Sequence, residues 1–177
     1  MRDHEPTATV TAMRPARSSD LPRAREIIAA AFENVTFFHL LEQRYGVMGG
    51  RSWREWKTDE IDRVFADHPA WVLVAEIDGQ IVGVVAYRLD ERRKIGTIGN
   101  NGVDPRYQGR GIGTDMYRHV LDIFRQAGMR YADVATGLED VATPARRAYE
   151  KVGFRPITRS VHYVLELDRD GFSPEQE

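Results

Sequence analysis

The sequence predicts an α/β fold in which a mixed, largely antiparallel sheet is flanked by helices, and three observations carry that expectation. Two β-prone runs, residues 71–77 and 81–87, are joined through Asp78-Gly79, a strong hairpin signal. A third run, residues 94–103, extends the meander, although Gly96, Gly99 and Gly102 weaken it and mark a bulge or a close backbone approach. A glycine-punctuated loop then opens an amphipathic helix that leads into a further β-prone run at 131–136. That strand, helix and strand make one parallel crossover.

The remaining elements follow in order. Residues 1–8 are polar and expected to be loose, and residues 9–14 form a short β-prone run. A helix is expected next: Ser18, Ser19 and Asp20 offer cap oxygens, Pro22 suits a first turn, and Leu21, Ala24, Ile27, Ile28, Ala31 and Phe32 share one face. Residues 33–67 read as helical segments broken near Gly46–Gly50. In the crossover helix Ile112, Met116, Val120, Ile123, Phe124 and Ala127 recur at spacings of three and four, and Gly128 falls where a C-terminal cap belongs. Thr143-Pro144 starts another helix, and residues 161–167 alternate as a last strand. One domain over 9–168 is expected, with loose termini at 1–8 and 169–177.

Composition narrows the functional classes. With 177 residues, 42% of them hydrophobic, the chain can bury one good core. A net charge of −2 and a pI near 6.2 give no general pull toward nucleic acid or anionic membrane. The absence of cysteine excludes disulfides, thiolate metal sites and a cysteine nucleophile. The five histidines show no metal-ligand spacing, so no metal is expected. No apolar stretch approaches membrane-spanning length and the N-terminus does not read as a signal peptide, so a cytoplasmic location is expected.

The most informative stretch runs from Val103 to Thr114. It joins the end of a strand to the start of a helix through Gly109, Gly111 and Gly113. Glycines let a ligand approach the backbone closely, and the first helical turn carries N–H groups without intrahelical partners, at the positive end of the helix dipole. Together they suit a pyrophosphate. No Gly-Lys-Ser or Gly-Lys-Thr closes the loop, so it is no P-loop, and the third glycine comes too early for the dinucleotide fingerprint. What remains is Gln-x-x-Gly-x-Gly.

That motif, Gln108-Gly109-Arg110-Gly111-Ile112-Gly113, resembles the signature of the GNAT superfamily of acyl-coenzyme A dependent N-acetyltransferases. A second segment, residues 145–154, resembles the family's later helix, which carries a tyrosine and ends in Gly-Phe. In strand and helix order the resemblance runs from about Thr9 to Leu167, resting on position alone between Phe32 and Pro69. It implies a GNAT-like acyltransferase fold with a centrally splayed sheet, acetyl-coenzyme A as co-substrate, and a small-molecule or peptide amine as acceptor. Backbone N–H groups of Val103 would bond the pantetheine amides. Those of Gln108, Gly109, Arg110, Gly111, Ile112, Gly113 and Thr114 would hold the pyrophosphate, with Arg110 adding charge. Direct transfer in a ternary complex is expected, since no cysteine can carry the acetyl group. The oligomeric state is open, a homodimer among the options.

Acetyl transfer needs a neutral amine, whose ordinary pKa is about 10.4, and a proton or other stabilisation for the departing thiolate. The resemblance assigns the second task to the Tyr149 phenol; the alternative is an aromatic packed among Ala145, Ala148 and Val152. The strand before the cradle lacks the glutamate that many relatives carry. Asn100 and Asn101 there are not bases, but could orient a water or the substrate. Glu33, His39, Asp59, Glu60 and Glu139 are distant acceptors that also read as ordinary surface groups, and no base is assigned. Ala142 stands where relatives often have a cofactor-contacting asparagine. The early helices are the expected acceptor region, with Phe37, Phe38, Tyr45, Trp53 and Trp56 as pocket walls and Glu42, Asp59 or Glu60 attracting a cation. A noncatalytic acyl-coenzyme A binding or sensing module is the rival reading, kept open by the missing strand glutamate.

Overall fold

In the computed structural model, which describes residues 12–167, Asp78 and Gly79 take φ values of 50° and 75° and close the expected hairpin. It joins β2 (Val72–Ile77) to β3 (Gln80–Asp90). With β1 (Ala12–Pro15), β4 (Ile95–Val103) and β5 (Tyr131–Val134) these make one sheet of order β1-β2-β3-β4-β5. The first three pairings are antiparallel and β4–β5 is parallel. Residues 9–11 of the first expected strand, and the two termini expected to be loose, lie outside the described residues.

Among the described residues there are five α-helices, α1 (Leu21–Ala31), α2 (Phe37–Tyr45), α3 (Trp53–Asp67), α4 (Ile112–Gln126) and α5 (Thr143–Lys151), of which α2 packs on α3. Period-two alternation sorts the strand side chains between two cores. Val72 and Val74 face α1 and α3, where they meet Ala24, Ile27, Ile28 and Ile61, all almost fully buried. Leu73 and Ala75 face the opposite way, toward the α4 stripe of Ile112, Met116, Val120 and Phe124. Two strand glycines permit this close layering. A Cβ at Gly96 would strike the Phe124 ring, and one at Gly102 would strike Ala31.

Two features of β4 create the site. It pairs with β5 only from Ile95 to Ile98, so its outer edge is unpaired from Gly99 to Val103. Against β3, Val85 pairs with Asn101 and Tyr87 with Ile98, which leaves β4 one residue longer than its partner there. This bulge re-aims side chains. Ile98 lies in the α4 core, yet beyond the bulge Gly102 faces α1 while Asn101 reaches Tyr117 of α4.

Two local expectations are corrected. Residues 161–167 form no strand; Val161, Tyr163, Leu165 and Leu167 are exposed. Alternation is a local pattern, whereas a strand needs backbone partners, and none is supplied to this segment among the described residues. At the start of α1, Asp20 does not cap the helix with its side chain. Its carboxylate accepts from the Arg14 guanidinium and from the Arg17 N–H, both at 2.7 Å. The cap that sequence reading overlooked is at α3, where Ser52 and Glu55 form a reciprocal capping box.

Candidate active site

The β4–α4 loop is pinned before it reaches its glycines. Asp104 is buried and caps the turn at 105–107 by accepting the Arg106 N–H at 2.9 Å. The Arg106 guanidinium bonds the same carboxylate at 2.8 and 3.1 Å, and Arg23 of α1 reaches it from the other side. These partners, Arg106 foremost, hold the Asp104 carboxyl well below the ordinary carboxylate range despite its burial. Gln108 closes the corner by donating from Nε2 to the Val103 carbonyl at 3.1 Å.

Beyond that corner the backbone turns its donors outward. Gly109 and Gly111 take φ values of 78° and 85°, and a Cβ on either would meet nothing within 4 Å. Gly111 is the left-handed residue that starts α4, and no side chain caps that helix. Among the described residues the N–H groups of Gly109 through Thr114 find no protein acceptor; the first helical donor to be satisfied is Asp115, which bonds the Gly111 carbonyl at 3.1 Å. Orphan donors on an open left-handed corner at a helix N-terminus fit a pyrophosphate. Arg110 is exposed, rests over the Tyr107 ring, and makes no ion pair among the described residues.

Val103 presents its backbone to the unpaired side of β4. Asp104, the next residue, donates to Val82 of β3 at 2.9 Å, and backbone bonds alternate sides along a strand. The carbonyls of Gly99 and Val103 accept side-chain bonds from Asn101 and Gln108. An extended amide-bearing chain can therefore add here as a strand would.

Tyr149 stands at this edge. Its ring lies 4.7 Å from that of Tyr117 and 6.0 Å from that of Phe154, so the packing expected from Ala145 and Ala148 exists. Its hydroxyl is nevertheless engaged in a polar cluster. Tyr117 donates to Asn101 Oδ1 at 2.7 Å, and Asn101 Nδ2 donates to the Gly99 carbonyl at 2.9 Å and to the Tyr149 oxygen at 3.2 Å. Burial pushes the Tyr149 phenol above its ordinary value near 10, with the Asn101 and Tyr117 bonds pulling back. At neutral pH it carries its proton. Tyr117 and Asn101 were not singled out as partners of Tyr149. Asn101 reaches that hydroxyl only because the bulge turns it, and Tyr117 sits on the buried face of α4 one residue past the predicted stripe.

A cavity of about 770 Å³ opens from Tyr149 and Asn101 toward α1 and α3. Its walls include Phe32, Lys57, Glu60, His68 and Trp71. The aromatic wall expected from Phe37, Phe38, Tyr45, Trp53 and Trp56 is not there: Trp53 stacks on His39 at 4.7 Å, and Trp56 takes the Arg51 guanidinium on its face. Of the distant acceptors, Glu33 is paired to Arg54 and Asp59 to Arg51, each at 2.6 Å, and the His39 Nδ1 accepts the Asn34 N–H. Glu139 lies exposed beside Gly137 and is not itself among the lining residues. Glu60 is the one of the five that faces the cavity. Ala142 lines the cavity but offers no polar side chain to it, and its N–H is bonded to the Glu139 carbonyl at 3.0 Å.

The profile of the Acetyltransferase (GNAT) family matches residues 30–154. The chain belongs to this family. N-acetylaspartate synthetase of Rattus norvegicus is 37% identical over 92 residues, which cover 52% of this chain and 30% of that one. The N-alpha-acetyltransferase RimI of Mycobacterium tuberculosis is 36% identical over 72 residues, 41% of this chain and 42% of that one. The chain thus matches less than half the length of either relative. Among solved structures, a GNAT family acetyltransferase from Brucella melitensis in complex with acetyl-CoA superposes with a TM-score of 0.57 at 26% identity, covering 82% of both chains. An aminoglycoside 6'-N-acetyltransferase from Acinetobacter haemolyticus shares the fold at a TM-score of 0.58 and 16% identity, over 89% of this chain and 100% of that one. The splayed mixed sheet is the GNAT fold.

Proposed function

We propose that this protein transfers an acetyl group from acetyl-coenzyme A to an amine by direct attack in a ternary complex. The observation that carries the reading is the protonated Tyr149 hydroxyl at the unpaired edge of β4, between an outward-facing amide corner and a cavity large enough for a small acceptor. The N–H groups of Gly109 through Thr114 hold the pyrophosphate, with Arg110 adding charge and Gln108 holding the corner in shape. Val103 bonds the pantetheine as a neighbouring strand would. Acetyl-coenzyme A supplies an activated thioester. Tyr149 donates its proton to the departing sulfur: Asn101 Nδ2 holds the phenolic oxygen in place, and the long 3.5 Å contact of the hydroxyl to Asn101 Oδ1 is readily exchanged for a thiolate.

The names of the relatives support an amine acceptor: one makes N-acetylaspartate and another is an N-alpha-acetyltransferase. Screening a panel of amino acids, peptides and polyamines, with release of the coenzyme A thiol as the readout, tests the reading. Turnover of at least one amine is expected. Tight coenzyme A binding without turnover of any amine would instead identify a sensing module.

A further inference from the structure

Resting on the reading above, we infer that Glu60 is the residue that receives the proton of the acceptor amine, on its Oε1. Asn100 and Asn101 point to opposite faces of β4 as consecutive strand residues do, and the bulge sets which of them faces α3 and which faces α4. Asn101 serves Tyr149. Asn100 donates from Nδ2 to Glu60 of α3 at 3.2 Å. Glu60 thus brings a carboxylate from α3 to the edge of β4, in the cavity that Tyr149 also lines.

The way Glu60 is held leaves one oxygen for work. Lys57 Nζ bonds Oε2 at 2.7 Å, and the Asn100 bond ends on Oε2 as well. Among the described residues Oε1 has no hydrogen-bond or ion-pair partner, and the Glu60 side chain is 39% exposed where it lines the cavity. Lys57 is itself buried, its ammonium 3.8 Å from the centre of the Phe32 ring. That fixed cation has a second effect. An incoming ammonium is drawn to Oε1 but feels a like charge beside it in a partly desolvated space, and both influences favour its neutral form.

The step balances as follows. The ammonium gives one proton to Glu60 Oε1, which holds it until the nitrogen has attacked and then releases it to solvent. The neutral nitrogen bonds the acetyl carbonyl carbon, the carbon–sulfur bond breaks with its electron pair on sulfur, and sulfur takes the Tyr149 proton. The second nitrogen proton leaves through the same carboxylate, and Tyr149 regains a proton from solvent.

The test is a pH–rate profile on an amine turned over by the wild type. His68, Arg88 and Asp133 also face the cavity, so the profile is compared between variants rather than read by itself. Wild-type kcat/KM should be flat across neutral pH. In Glu60→Gln it should fall at least a hundredfold at pH 7 and climb tenfold per pH unit toward the pKa of the amine, with the coenzyme A thermal shift retained. Lys57→Met/Glu60→Gln removes the cation that the single change strands, and should show the same climb. A wild-type profile in either folded variant overturns the role of Glu60 alone. A wild type that binds coenzyme A and turns over no amine overturns the transferase reading beneath it, and this role with it.

Discussion

Asn101 donates from Nδ2 to the Tyr149 hydroxyl at 3.2 Å, while its own Oδ1 is held by Tyr117 at 2.7 Å. The amide is fixed at both ends, so the phenolic oxygen accepts a hydrogen bond from the strand, while its own hydroxyl has only a long 3.5 Å contact to Asn101 Oδ1 to give up when a better acceptor arrives. Tyr149→Phe deletes that hydroxyl and keeps the ring against Tyr117 and Phe154. Turnover should drop roughly a hundredfold or more with little change in coenzyme A affinity, measured by steady-state kinetics and by calorimetric titration. Since burial raises the phenol, the wild-type rate should show no loss from tyrosine ionisation below about pH 10.

Tyr117→Phe separates aiming from proton donation. It removes the bond that fixes the Asn101 amide and leaves Tyr149 in place. The expected result is a fall in kcat of about tenfold, with stability lower by about 1 kcal/mol, the usual net worth of one hydrogen bond. Thermal melts would register that as a decrease of roughly 2–4 °C. An unchanged kcat would show that Tyr149 needs no aim from Asn101.

The amide corner at Gly111 can be tested without any amine. Coenzyme A at a hundredfold excess over its dissociation constant should stabilise the protein by about 2.7 kcal/mol. Gly111→Glu should abolish the thermal shift, because its side chain would place a negative charge in the open space proposed for the pyrophosphate, at a φ of 85° that also strains any L-residue. Wild-type protein with no shift would remove the cofactor assignment.

Asp104 predicts an acid-sensitive anchor. Its carboxyl is depressed in the fold, first by the Arg106 guanidinium and also by the backbone N–H of Arg106 and by Arg23. A depressed acid contributes stability above its unfolded pKa, about 3.9, and that contribution fades as pH falls toward the folded value. Melting temperature should therefore decline below about pH 4, and Asp104→Asn should decline less steeply. The variant should also be less stable by roughly 1.5–3 kcal/mol at neutral pH, since a neutral amide replaces a buried carboxylate that accepts charged hydrogen bonds from the exposed Arg106 and the half-buried Arg23.

The elements of this fold were readable wherever one pattern decided them. The Asp78-Gly79 turn, the α4 stripe and the glycine corner each depend on neighbours in sequence, and each occurs where the sequence places it. Residues 161–167 show the limit, because their alternation is local while strand formation requires a partner edge. Within the candidate site, Tyr149 was readable from its motif. The placement of Glu60 beside Asn100 was not. It depends on the extra residue in β4 and on the approach of α3, and neither leaves a periodic trace.

The extra residue in β4 has a consequence for how such a protein can diversify. Asn100 and Asn101 are neighbours in the chain, yet one answers to the α1–α3 layer and the other to the α4–α5 layer. Substitutions in the early helices can reshape what enters the cavity while the cradle and its tyrosine stay untouched. A single-residue deletion at the bulge would have the opposite character, turning both asparagines toward the wrong layer in one event. Acceptor preference is thus free to drift by small steps, and the register of β4 is the part of the molecule that inheritance cannot adjust gradually.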